Sequence, residues 1–207
     1  ESFFTEEDLK DKRILVVGTL YTSEGQVKMK ATHIEIVGES TILKRKNEWE
    51  KQFEDIIKNK ESQRDYRRNN SPVSYQNIAL ISSEHAQGCI DFINFMKLKN
   101  ISTVLYETHM QNKNTVSEII KQIETINEEE KYDLICIVRG GGNWKDLFCY
   151  NSPQLAQTII DSKIDIGTAI GHTDNCLLCD QVADIVFATP TEAAKRIVSD
   201  FYSVQKQ

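Results

Sequence analysis

DLICIVRGGGNWKDLFCYN, residues 133–151, is the stretch on which the fold turns. Leu134 to Val138 is apolar without a break. Such a run fits a strand covered on both faces, as in the middle of a parallel sheet. Arg139 follows, and then Gly140, Gly141 and Gly142. Glycines at the end of a strand free the backbone for positive φ and leave its N–H groups bare to a ligand. An arginine beside such a nest matches a phosphate or carboxylate. An ordinary strand-to-helix loop with a surface arginine has the same composition. The turn therefore has to be read with its neighbours.

Outward from this stretch the rhythm from Asn77 onward is strand, helix, strand, helix. Strands are expected at Ile78–Ser82, Thr103–Tyr106, Leu134–Val138, Asp165–Ala169 and Ile185–Ala188. Between them lie apolar residues at helical spacing. The first set is Cys89, Phe92, Ile93 and Met96; the second is Val116, Ile119, Ile120 and Ile123, opened by a capping box at Thr115 and Glu118. The third is Leu155, Ile159 and Ile160, opened by Ser152 with Pro153 at the first helical position. The last runs through Ala194, Ile197, Val198 and Phe201 behind a box at Thr189 and Glu192. This alternation predicts a three-layer, doubly wound α/β fold with a mostly parallel sheet of about five strands.

Residues 1–40 read as β, with strands over 13–20 and 27–37 and Gly25 in the turn between them. Two strands alone do not make a stable sheet, so this segment is expected to be part of a small β-domain or a ribbon. A charged helix is expected over 43–59, with Trp49, Phe53, Ile56 and Ile57 as its apolar stripe. Residues 60–76 carry little apolar content and read as a linker. Arg64, Arg67 and Arg68, with Tyr66, have the chemistry to touch a phosphate backbone, but charge runs of this kind usually face water. The expected division is 1–40, 41–76 and 77–207.

The chain has 207 residues, 40% hydrophobic and 27% charged, which is enough for one good core. A net charge of −6 weighs against a general nucleic-acid coat but leaves room for a local basic cleft. No apolar run reaches the roughly 18 residues of a membrane span, so no membrane association is expected. Five cysteines, mostly within apolar runs, fit a reducing cytoplasm. The first residue is Glu1, and the chain is expected to be a piece of a longer protein.

In a parallel sheet of this kind ligands sit at the carboxyl ends of the strands. The residues there form one rim. After the first strand stand Ser82, Ser83, Glu84, His85 and Gln87, with Asp91 in the first helical turns; after the third, Arg139 and the glycines. After the fourth come Gly171, His172, Thr173 and Asp174, and after the fifth Thr189 and Pro190. Such a rim suits a phosphate diester. Arg139 and the Gly140–Gly142 amides match the non-bridging oxygens, with Ser82 and Ser83 as further phosphate contacts. His172 titrates in the range for activating a water or protonating a leaving oxygen. Asp91 or Asp174 is placed to orient it. A lone histidine after a strand is often structural, and the joint placement is what favours catalysis. Cys176 and Cys179 form a C-x-x-C near His172, but a structural zinc needs four ligands and no second pair is present. No metal and no cofactor is expected.

Four blocks resemble the large subunit of exonuclease VII, a bacterial single-strand DNA exonuclease. They are IALISSEHAQGCIDFINFMK (78–97), VRGGGNWKDLFCYNSPQLAQTI (138–159), AIGHTDNCLLCDQVAD (169–184) and ATPTEAA (188–194). The resemblance implies hydrolysis of single-stranded DNA to short oligonucleotides, from both ends and without a divalent metal. It implies an N-terminal OB-fold, of which residues 1–40 would be the last part. It also implies a coiled-coil arm that binds small subunits and is expected to lie beyond Gln207. Matched motif by motif, the family's catalytic aspartate falls on Asp91, its arginine on Arg139 and its histidine on His172. The family's second aspartate, three positions after the histidine, falls on Asn175, with Asp174 one residue earlier. Asparagine cannot act as a base, and one residue along a helix turns a side chain by about 100°. Asn143, Lys145 and Thr173 also depart from the family's usual residues, whereas Asp146, Leu147 and Asn151 keep the pattern, and Asp146, Asn151, Asn175 and Thr189 are carried as supporting positions. Two rival readings remain: a relative that binds DNA or assembles without catalysis, favoured by Asn175, and a binder of a small phosphate ligand on the same rim.

Overall fold

The computed structural model describes residues 9–10, 12–39, 48, 51, 54, 74–140, 144–170 and 177–204. The chain divides into two units, Glu1–Gln52 and Phe53–Gln207. The expected charged helix over 43–59 and the arginines of the linker fall outside the described residues, save for positions 48, 51 and 54.

The first unit contains an antiparallel hairpin of β1 (Lys12–Ser23) and β2 (Gln26–Glu39). Its two-residue turn puts Glu24 at φ 54° and Gly25 at φ 75°. That geometry matches the right-handed twist of the flanking strands. A bulge at Val17/Gly18 leaves Thr32 outside the ladder, and its hydroxyl donates to the Val17 carbonyl at 3.0 Å.

The second unit is a five-stranded sheet in the order β4-β3-β5-β6-β7, every pairing parallel. The strands are β3 (Asn77–Ser82), β4 (Ser102–Glu107), β5 (Leu134–Val138), β6 (Asp165–Ala169) and β7 (Ile185–Val186). The helices are α1 (Gln87–Leu98), α2 (Thr115–Glu129), the short α3 (Trp144–Leu147) running into a 3-10 turn (Phe148–Asn151), α4 (Pro153–Asp161), α5 (Leu178–Val182) and α6 (Pro190–Val204). The α/β architecture is the one expected from the alternation. β5 and β6 coincide with the expected spans, while β7 stops at Val186. There the Phe187 N–H donates its last ladder bond to Thr168 and the chain turns into α6.

Alternation along the central strands builds a core on each face. Ile78 and Leu80 of β3 and Leu134, Cys136 and Val138 of β5 point to the side of α1 and α6. Ala79, Ile81, Ile135 and Ile137 point to the side of α2, α4 and α5. Pairing of Ile78 with Leu134 and of Ala79 with Ile135 keeps like faces together. At the amino end of the sheet a carboxylate satisfies free amides: Asp133 Oδ2 accepts from the Gln76 and Asn77 N–H groups, each at 2.9 Å.

Strand order decides where the site lies. The chain runs from β3 outward to β4, then crosses back to lay β5 on the other side of β3. The connections after β3 and β5 therefore diverge and leave a crevice at the carboxyl end. Close packing on the sheet depends on Gly167, where an added Cβ would stand 2.8 Å from the Phe187 ring. Gly167→Ala is expected to destabilise the chain by about 1–3 kcal/mol through overpacking, read as a lower urea midpoint with an unchanged slope.

Candidate active site

The end of β5 is pinned on both sides. The Ser82 hydroxyl donates to the Val138 carbonyl at 2.7 Å, and the Arg139 N–H donates to the Ala169 carbonyl at 3.0 Å. Ser82 is wholly buried and spends its proton on this strut. Its neighbour Ser83 points the other way and lines the crevice.

Arg139 is only 3% exposed. Among the described residues its Nε, Nη1 and Nη2 have no hydrogen-bond partner. Asp146 Oδ2 stands 3.8 Å from Nη2, a charge contact longer than a hydrogen bond. A guanidinium cannot shed its proton, and a charge buried without hydrogen bonds is costly unless a partner arrives. Such a group calls for an anion.

The surroundings favour one. α1 opens on Ala86, which gives no side-chain cap to the Gln87 and Gly88 amides, and both residues line the crevice. Gly88 in this first turn lies against the α6 proline: an added Cβ would be 2.8 Å from Pro190 Cγ and 3.8 Å from the Gly140 nitrogen. Its missing side chain thus brings the positive end of α1 beside the β5 loop. Gly140 faces open space and does not take a positive φ, so its bareness serves access and not a turn.

The cavity here has a volume of about 630 Å³. Ser83, His85, Gln87 and Gly88 line it from the β3–α1 loop, and Arg139 and Gly140 from β5. A third wall, formed by His109, Met110, Gln111 and Asn112 after β4, was not foreseen from the sequence. THMQNKN has no glycine and no familiar spacing; only its place after a strand marked it. Thr115 and Glu118 do not form the expected capping box. Thr115 Oγ1 donates to the His109 carbonyl at 2.8 Å and accepts from the Asn112 N–H at 2.9 Å. Glu118 Oε2 accepts the His109 N–H at 3.0 Å, a bond that holds its carboxyl below the ordinary range. The buried Tyr150 hydroxyl donates to the Met110 carbonyl at 3.0 Å from beneath.

The other expected positions divide as follows. Asp91 is exposed one turn along α1, and Gln87 Nε2 donates to its Oδ1 at 2.7 Å, which links it to the cavity wall. Asn151 is buried, and its Oδ1 accepts the Leu178 N–H at 2.9 Å, anchoring the start of α5. Thr189 Oγ1 accepts the Glu192 N–H at 3.1 Å, the first half of the expected box at α6, but Glu192 accepts the N–H of Ala188, one residue before the cap, and not that of Thr189. Gly141, Gly142, His172, Asp174 and Asn175 lie outside the described residues.

Comparison with known proteins fits this geometry to a family. The model of the exonuclease VII large subunit matches residues 62–207, which include the whole parallel sheet and every wall of the cavity. The chain belongs to the exonuclease VII large-subunit family. The exodeoxyribonuclease 7 large subunit of Hamiltonella defensa is 33% identical over 131 residues, 62% of this chain and 29% of that protein. That of Pseudoalteromonas translucida is 33% identical over 128 residues, 61% of this chain and 29% of the relative. That of Clostridium botulinum is 30% identical over 179 residues, 86% of this chain and 44% of the relative. The chain thus spans less than half the length of these exonuclease VII relatives.

Asn151→Ala should cost about 1–3 kcal/mol by orphaning a buried amide, measured by chemical unfolding. Asp180, at the start of α5, has its carboxyl raised by burial, only partly offset by the nearby Thr168 hydroxyl and Leu177 amide. The folded state then holds its proton more tightly than the unfolded state. Its contribution to stability is fullest below the ordinary carboxyl range and falls as pH rises through the raised value. Unfolding midpoints from about pH 4 to pH 7 should show this loss in the native chain and a flatter profile in Asp180→Asn.

Proposed function

We propose that the second unit is the nuclease domain of an exonuclease VII large subunit, hydrolysing phosphodiester bonds of single-stranded DNA to short oligonucleotides. The observation that carries this reading is the buried guanidinium of Arg139, free of hydrogen bonds among the described residues, at the switch point of the sheet. Arg139, the first amides of α1 and the Gly140–Gly142 amides hold the non-bridging oxygens and take up the charge that grows on them. His172 transfers the proton, as general base toward a water or general acid toward the leaving oxygen. Asp91, reaching the cavity through Gln87, and Asp174 support it. Asn175 stands where the family's second aspartate is expected and limits the rate.

The curated relatives are named as large subunits, which supports a small-subunit partner for the full protein. Cys89, Cys136, Cys149 and Cys179 are free thiols, in keeping with a role in the cytoplasm. The nuclease names of the relatives favour this reading over a DNA-binding relative without catalysis.

The test is release of short products from end-labelled single-stranded DNA in the presence of EDTA. Arg139→Gln is expected to slow cleavage by about 10²–10³-fold, and His172→Ala by about 10²–10⁴-fold. Asn175→Asp should raise the rate. Cleavage untouched by Arg139→Gln and His172→Ala would sink the assignment.

A further inference from the structure

Two histidines, His85 and His109, line the cavity, and they are held differently. The His85 side chain is 88% exposed, and its Nε2 meets Glu84 of its own loop at 3.2 Å. His109 is fixed at three points. Its N–H donates to Glu118 Oε2, its carbonyl accepts from Thr115, and its ring Nδ1 lies 3.1 Å from the same Glu118 oxygen. Glu118 projects from the first turn of α2, whose buried face packs on the sheet, so the carboxylate comes from a rigid element. A carboxylate on Nδ1 fixes the proton there and turns Nε2 toward another partner. With Nδ1 donating to Glu118, Nε2 can donate to a phosphate only when it too is protonated. The chemistry proposed above uses neither group.

We infer that His109 is a substrate-contacting residue whose Nε2 meets the phosphate next to the one held by Arg139, with Glu118 as its positioning residue. This rests on the nuclease reading and deepens it. The cavity, at about 630 Å³, is larger than one phosphate requires and falls within the range of sites that enclose whole ligands. Besides Glu118 from α2, the charged and titratable groups among the described residues that share the cavity or the flanking loops with His109 are Arg139 at the end of β5, His85 on the β3–α1 loop beside Glu84, Glu107 at the end of β4, which accepts the Glu84 N–H, and Lys113 on its own loop. His109 and Arg139 line the same cavity, so a strand that meets one can meet the other.

The experiment is anisotropy of a labelled short oligothymidylate bound by the full chain carrying His172→Ala, which prevents turnover, over a range of salt. His109→Gln should weaken binding roughly fivefold. It should also flatten the slope of log affinity against log salt by about 0.7, one phosphate contact to a single strand. Glu118→Gln should follow it in part and His85→Gln should not. His109→Lys, which keeps a positively charged donor at this position, should restore affinity. A merely structural His109 would not be rescued in this way. Thymidine monophosphate, with one phosphate for Arg139, should bind His109→Gln and its parent alike. Binding that needs Arg139 but is equal with and without His109 would overturn this inference and leave the nuclease reading intact. Binding indifferent to Arg139→Gln, or no binding, would overturn both.

Discussion

A positive charge that cannot be neutralised, held at the carboxyl edge of a parallel sheet, is the constraint on which this structure turns. Arg139 is placed by two bonds that belong to the sheet and not to the site: Ser82 to the Val138 carbonyl, and its own N–H to Ala169. Neither touches the guanidinium, so the charge is fixed in position while its hydrogen-bonding capacity stays open among the described residues. Keeping it so costs the fold several kcal/mol. The two apolar cores on either face of the sheet are what can bear that cost.

Around that charge, small residues set the distances. Gly88 lets α1 approach both Pro190 and the Gly140 nitrogen, so the positive end of a helix, a bare loop and a guanidinium share one cavity. The adjacent serines show how finely alternation divides labour. Ser82 turns inward and braces β5, while Ser83 turns outward and meets the cavity. The loop after β4 completes the enclosure and is held from two sides, by Thr115 and Glu118 above and by the Tyr150 hydroxyl below.

Much of this was legible in the chain before its structure. The unbroken apolar run at 134–138 and the βα rhythm around it specify a parallel sheet, and Ser152 with Pro153 marks the start of α4, where Ser152 accepts from the Leu155 N–H. Alternation does not reveal strand order, because the same rhythm fits several arrangements; the cavity wall after β4 follows only once that strand is known to lie beside β3. Thr115 and Glu118 have the spacing of a capping box, but the loop preceding them offers better partners in His109 and Asn112. Local patterns of this sort are overruled when a tertiary contact competes for the same side chains. Arg139 stood out as a candidate anion-binding residue from its glycines, although its burial was not legible.

The Ser82–Val138 strut joins residues 56 apart, and β3 lies between β4 and that distant β5. A chain emerging from its N-terminus can pair β3 with β4 early, but the other edge of β3 stays open until β5 has been made. Contacts of such long range slow folding and expose apolar strand edges meanwhile. The half-built sheet, with Ile78 to Ile81 awaiting their partners, is thus the species most prone to associate with its own kind. The bond that sets the arginine in place therefore waits on a strand made 56 residues later.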